Sequence, residues 1–223
     1  LRDRGGVFGW NIGGFAWTAV DGLRDFAPDS NDTPMILSGV RIANATGYLS
    51  LFQDGTLKGF ASETPYRYGG GPGSQYAGEF HTSGAINGAY VIGRRHNHSG
   101  EFYGGNFGEV AAFDRELNEA ERILVENHLS TKWDIDLDEN AVYSGDYSSD
   151  LFGVGRVDAD NLLAETGAAG MGIAADTETL DDGEWLVAAH NGSANSLTPQ
   201  DVPDGLHLRW DRVWQLDATG DVD

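Results

Sequence analysis

The chain contains no cysteine. That absence excludes a disulfide scaffold, a thiolate zinc site and thiol catalysis. Lysine is nearly absent too: Lys58 and Lys132 are the two present, and arginine supplies the rest of the 14 basic residues, set against 35 acidic ones for a net charge of −21. A field of that sign repels phosphate backbones and anionic lipid, so nucleic acid is not an expected partner. It favours a solvated surface and leaves many carboxylates for divalent cations. No apolar run has the length of a membrane span. No apolar core follows the first residues, Leu1-Arg-Asp-Arg, so a secreted protein would be represented here by a mature or internal piece.

Glycine, in contrast, is abundant, with 32 residues in 223. It follows no G-X-Y period and so reads as many tight turns and bulges, which suits an all-β protein. Apolar residues at 40% and aromatic ones at 11% make the chain globular, with room for one or two cored domains.

The pattern along the chain is one of short strands separated by turn chemistry. Residues 7–10 and 14–17 read as a hairpin. A polar loop over 28–34 precedes a strand over 35–43, and residues 48–52 (YLSLF) alternate before an Asp54-Gly55 turn into residues 57–60. This is a strong local hairpin signal. Residues 63–84 form a long Gly- and Tyr-rich loop, and 89–93 read as another strand. A Gly-rich turn then leads into a short apolar strand over 110–113. Asn118 and Glu121 make an N-x-x-E capping box for a helix over 118–131. Ile123, Leu124, Val125, His128 and Leu129 give that helix a broad apolar face.

The acidic run 134–140 (DIDLDEN) reads as a linker to a second β-rich region, 141–223. Strands are expected there over 151–157, 171–175, 184–190 and 206–216, with turns at 180–183 and at Asn191-Gly192. Leu208, Trp210, Arg212, Trp214 and Leu216 would share one face of the last strand. Arg212, between two indoles, would be stacked or paired with a carboxylate.

The segment FYGGNFGEVAAFDRELNEAERILVENHLSTKWDI (102–135) resembles the last strand and trailing helix of bacterial concanavalin A-like (laminin-G-like) jelly-roll modules, which end in DR-x-L-x-x-AER. The resemblance extends back to about residue 34, through the Asp54-Gly55 turn and the Ile92-Gly93-Arg94-Arg95 step. The second region resembles a β-rich module that follows such domains in large bacterial surface proteins and has no assigned chemistry. It carries that likeness in residues 142–146, 150–156, 185–191 and 209–214. The expected fold is therefore all-β: a jelly-roll sandwich over 1–135, closed by the 118–131 helix and short of its N-terminal strands, then a small antiparallel β domain over 141–223 that reads as truncated. Open sandwiches expose strand edges, which invites completion by a longer polypeptide or by another copy.

The resemblance implies an extracellular or cell-surface module that binds a glycan or other surface ligand rather than an enzyme. Tyr66, Tyr68, Tyr76 and Phe80 decorate the long loop and are the candidate sugar-stacking residues. Asp134, Asp136 and Asp138 imitate the first half of a calcium loop, although the sixth position is Glu139 instead of Gly and the twelfth is Gly145 instead of Glu. His96, His98 and Glu101 are a weaker metal corner, and Asp158, Asp160 and Asn161 form a second acidic turn. Asn44, Asn97 and Asn191 begin N-x-S/T sequons. Related glucanases carry paired carboxylates on one strand in an E-x-D-x-x-E run. No such run occurs here, and Glu116, Glu119 and Glu121 fall on or beside the helix. Two alternatives accompany the lectin-like reading: a structural subunit of a filament or surface layer assembled by strand exchange, and a glucanase-like hydrolase.

Overall fold

A computed structural model describes residues 9–12, 16–19, 34–42, 48–62, 106–113, 115–176, 178–193 and 196–220. The described residues are strand-rich, with several antiparallel pairings and one helix. They fall in two compact units, Leu1–Gln53 with Leu57–Glu116, and Asp54–Thr56 with Leu117–Asp223.

In the first unit, β1 (Gly9–Ile12) and β2 (Ala16–Ala19) pair antiparallel, with Gly9 opposite Ala19 and Ile12 opposite Ala16. A second sheet joins β3 (Leu37–Ile42), β4 (Tyr48–Gln53) and β5 (Thr56–Ser62) in that order, with Leu37 opposite Gln53. The turn between β4 and β5 places Asp54 at φ 47 and Gly55 at φ 87, the two left-handed residues a twisted two-residue hairpin requires. The strand expected over 110–113 is not formed. Those residues carry no strand ladder, and Val110 and Phe113 are exposed.

The second unit is built around the helix α1 (Glu119–Trp133) and a four-stranded sheet. Both halves of the capping box form: Asn118 Oδ1 accepts from Glu121 N–H at 2.8 Å, and Glu121 Oε2 accepts from Asn118 N–H at 2.9 Å. Glu119 and Glu121 lie in the first turn and Lys132 in the last, as the helix dipole favours. The sheet order is β13 (Trp214–Thr219), β10 (Trp185–His190), β6 (Ser149–Asp158), β7 (Asn161–Leu163).

Strand alternation sets the two faces of this sheet. Leu151 on β6 and Trp185, Val187 and Ala189 on β10 point one way, where they pack with Ala120, Ile123 and Leu124 of α1 and with Val142. The helix, which the sequence reading joins to the first module, thus packs on β6 and β7. Its cap is tied there as well: Asn118 Nδ2 donates to the Leu162 carbonyl and Glu119 N–H donates to Asn161 Oδ1.

Gly155 of β6 lies opposite Trp185, and a Cβ added to it would meet Trp185 Cε3 at 2.1 Å. The glycine leaves the space the indole fills. Asn127 is buried on α1 and locks the chain that follows. Its Nδ2 donates to the carbonyls of Ile123 (2.9 Å) and Asn140 (2.7 Å), and its Oδ1 accepts from Val142 N–H (2.9 Å). Beside it Arg122 and Glu126, both buried, form an ion pair.

Two hairpins complete the unit. β8 (Glu165–Ala168) pairs with β9 (Met171–Ala174). β11 (Leu197–Thr198) pairs with β12 (Arg209–Trp210) and forms an arm between β10 and β13. The single strand expected over 206–216 is therefore two strands, interrupted at residues 211–213.

Candidate interaction surface

The arm begins at a clasp. Asn191 N–H donates to the Val213 carbonyl at 3.1 Å, and Val213 N–H donates back to Asn191 Oδ1 at 3.2 Å. A second rung follows, in which Asp211 N–H donates to the Ser196 carbonyl and Ser196 Oγ donates to Asp211 Oδ2. Inside the arm, Arg209 is held at three points: Nε on the Gln200 carbonyl (2.8 Å), Nη1 on the Trp210 carbonyl (2.8 Å), and Nη2 near Asp201 (3.6 Å). Backbone carbonyls and a carboxylate thus take up the guanidinium, which fixes the hairpin from within.

The arm presents several large apolar side chains to solvent. Trp210 lies directly opposite Leu197, and the two are 59% and 58% exposed. Leu206, Leu208, Val213 and Leu216 are exposed as well. An exposed indole also offers the stacking face that a pyranose ring uses, and Gln200, Asp201 and Asp204 supply hydrogen-bonding groups in the same hairpin.

Beneath the arm, Trp214 packs edge-on against Phe152 (5.4 Å between centroids) and His190 (4.8 Å). His190 is buried. Its Nε2 lies 2.8 Å from Asp150 Oδ2, and its Nδ1 accepts from Gly192 N–H at 3.0 Å. These two partners fix one tautomer, with the proton on Nε2. Both ring nitrogens are engaged, so the imidazole has no free position for an external substrate. Among the described residues Arg212 is neither stacked nor paired with a carboxylate: its Nη1 donates to the Ala169 carbonyl at 2.9 Å. The break at residues 211–213 takes it off the strand face it would have shared with the indoles.

The acidic segments serve the backbone. Asp134 caps α1 in the left-handed region (φ 54) and its N–H returns to the Ser130 carbonyl, while Asp138 N–H donates to the Asp54 carbonyl at 2.8 Å and Asp136 is exposed. Among the described residues no group of three or more His, Asp or Glu side chains is arranged to hold a metal ion. Asp158 Oδ1 accepts from Asp160 N–H, Asn161 N–H and Asn161 Nδ2. The Asn161 amide above all, then the backbone N–H groups and Arg156, hold the Asp158 carboxyl below its ordinary value. Burial pushes the Tyr143 phenol up, with Asp217 and Asp146 adding to the shift.

Tyr66, Tyr68, Tyr76 and Phe80 lie outside the described residues, as do His96, His98 and Glu101. Trp210, read from the sequence only as a residue of the last strand, is exposed on the β11–β12 arm. The signal for the arm was present in Pro203-Asp204-Gly205, a turn that divides the stretch into a hairpin. Among the described residues no helix is long and apolar enough to cross a membrane. Compared with known proteins, the chain matches no family model, no curated protein and no solved structure.

Proposed function

We propose that the chain is a non-catalytic, extracellular glycan-binding or adhesion module of a larger bacterial surface or secreted protein, with a lectin-like jelly roll in its first region. The observation that supports this reading is the arm carrying Trp210 and Leu197 into solvent from a strongly acidic chain. An indole face with neighbouring amide and carboxylate groups matches the chemistry of a sugar, which stacks through its C–H face and hydrogen-bonds through its hydroxyls. Tyr66, Tyr68, Tyr76 and Phe80 would add a second aromatic surface, and Asp134, Asp136 and Asp138 a calcium contribution. A glycan array probed with and without calcium tests the proposal. Binding to a defined set of glycans supports it, and no binding under either condition refutes it.

A second reading draws on β13, which is an edge strand of its sheet and carries the exposed Leu216. An edge with apolar flanks can accept a strand from a neighbouring subunit, which is the assembly of a filament or surface layer. Sedimentation at high dilution separates the two readings: assemblies that persist favour strand exchange, and a compact monomer removes it.

A further inference from the structure

We propose that Asn191 is a self-modifying site, at which His190 drives ring closure between the Asn191 side chain and the Gly192 backbone nitrogen. The inference is independent of any ligand and rests on four contacts, three on the Asn191-Gly192 dipeptide and one on His190 behind it.

The first is the base. The Nδ1 lone pair of His190 already accepts the Gly192 N–H at 3.0 Å. The second is Asp150, whose Oδ2 lies 2.8 Å from Nε2 and keeps the other ring proton in place. Asp150 stabilises the imidazolium that forms when Nδ1 takes a proton. Asp150 itself occupies the left-handed region (φ 49), a conformation uncommon for a non-glycine residue that the fold maintains here. The third and fourth contacts are backbone N–H groups on the electrophile: Val213 and Ser193 both donate to Asn191 Oδ1, each at 3.2 Å. They polarise the amide carbonyl and face the oxygen that becomes negative when Cγ is attacked, as in an oxyanion hole.

Gly192 suits the nucleophile's role. It sits at φ 74, and a Cβ there would meet Ser149 Oγ at 3.0 Å, so any other residue would be strained and would shield the nitrogen. Asn191 and Gly192 are exposed, which admits water for the second step.

The chemistry balances without a cofactor. The Gly192 nitrogen bonds to Asn191 Cγ as its proton passes to His190 Nδ1. The Cγ–Nδ2 bond then breaks, and the amide nitrogen leaves as ammonia with the proton returned by His190. The product is a five-membered succinimide. Water opens it at either carbonyl, giving aspartate or isoaspartate at position 191. Either outcome adds a negative charge at the clasp, and isoaspartate lengthens the main chain between β10 and the arm. The positioning of the base and of the oxyanion donors supplies the rate. His190 is the catalytic residue and Asp150 the positioning residue.

The chain carries an internal reference, the same dipeptide at Asn87-Gly88. The experiment incubates the full chain at neutral pH and follows conversion of Asn191 and Asn87 by peptide mapping that resolves isoaspartate. In the folded wild type, Asn191 should convert at least about tenfold faster than it does in the same chain held in urea. In His190→Asn, whose amide oxygen can still accept the Gly192 N–H but cannot take its proton, the Asn191 rate should fall by about a hundredfold relative to Asn87. Asp150→Asn should lower it about tenfold, and the ¹⁵N shifts of His190, which report the unprotonated Nδ1 in the wild type, should move with it. Conversion of Asn191 as fast in urea as in the folded chain would overturn the proposal. So would an unchanged rate in Asp150→Asn, or in His190→Asn with a wild-type circular dichroism spectrum.

Discussion

Asn127→Leu should destabilise the second unit by about 3 kcal/mol, a figure built from what the side chain holds. Asn127 is 2% exposed, so its amide lies out of water. Three bonds are lost, and they are not equal. The Ile123 carbonyl lies four residues back on α1, where it retains the helical N–H as a donor. Asn140 is exposed, and its carbonyl regains water, so that loss is about 1 kcal/mol. Val142 is buried, and its N–H has Asn127 Oδ1 as its partner at 2.9 Å. Leaving that donor bare costs about 2 kcal/mol. Asn127→Asp keeps the acceptor for Val142 but replaces the two-proton donor with an oxygen facing two carbonyls, inside the protein and charged. It should be the more damaging of the two. Urea unfolding followed by far-ultraviolet circular dichroism reads both, with the midpoint shifting and the slope unchanged. A midpoint shift worth under about 1 kcal/mol for Asn127→Leu, or an aspartate variant as stable as the wild type, would refute the claim that this amide ties the helix to residues 140–142.

Gly155→Ala should destabilise the same unit by about 1–3 kcal/mol, because the new methyl group would meet the buried Trp185 ring at 2.1 Å and displace it; a change in tryptophan near-ultraviolet dichroism with a lowered unfolding midpoint is the readout, and a neutral variant contradicts the packing. Asp158, whose carboxyl is held below its ordinary value of 3.8, contributes stability that is present above that value and lost as pH falls through its lower folded value. Asp158→Asn should therefore flatten this part of the acid unfolding curve, and an acid limb identical to the wild type counts against it. Tyr143 behaves in the opposite sense. Its phenol is raised above 10.0 by burial, so its contribution is intact below that pH and is lost as pH rises through the folded value. Tyr143→Phe should resist alkaline unfolding better than the wild type, as measured by dichroism across that range.

Local chemistry was readable from the sequence wherever it decided the structure. Asn118 and Glu121 announce the capping box, and the helix forms with both reciprocal bonds. Asp54-Gly55 announces the β4–β5 turn, and both residues take positive φ. The core strands β6 and β10 follow from their apolar runs. What escaped depends on partners distant in sequence. Nothing in residues 110–113 distinguishes an apolar strand from an exposed apolar coil, because a strand is defined by its ladder partner. Which sheet the helix covers is equally non-local: Ile123 and Leu124 are apolar whether they meet β6 or another surface. The apolar alternation from Leu208 to Leu216 fits a continuous strand, but the clasp between Asn191 and Val213 divides it. That division separates a half-buried indole from an exposed one, leaving Trp214 against His190 and Phe152 while Trp210 faces solvent. His190 carried little local signal: Gly192 is two residues away, but Asp150 and Trp214 reach it only through the β6–β10–β13 pairing.

The central claim is that the arm is a sugar-binding surface, and the most direct measurement compares the wild type with Trp210→Ala on one glycan array at matched concentrations. Trp210 is exposed and not part of the buried cluster, so its removal should leave unfolding unchanged. The account predicts that the wild type is retained on a defined subset of glycans and that the variant binds them about tenfold more weakly, the loss of one stacking face. A wild type retained on no glycan, or a folded Trp210→Ala variant that binds as the wild type does, would contradict it.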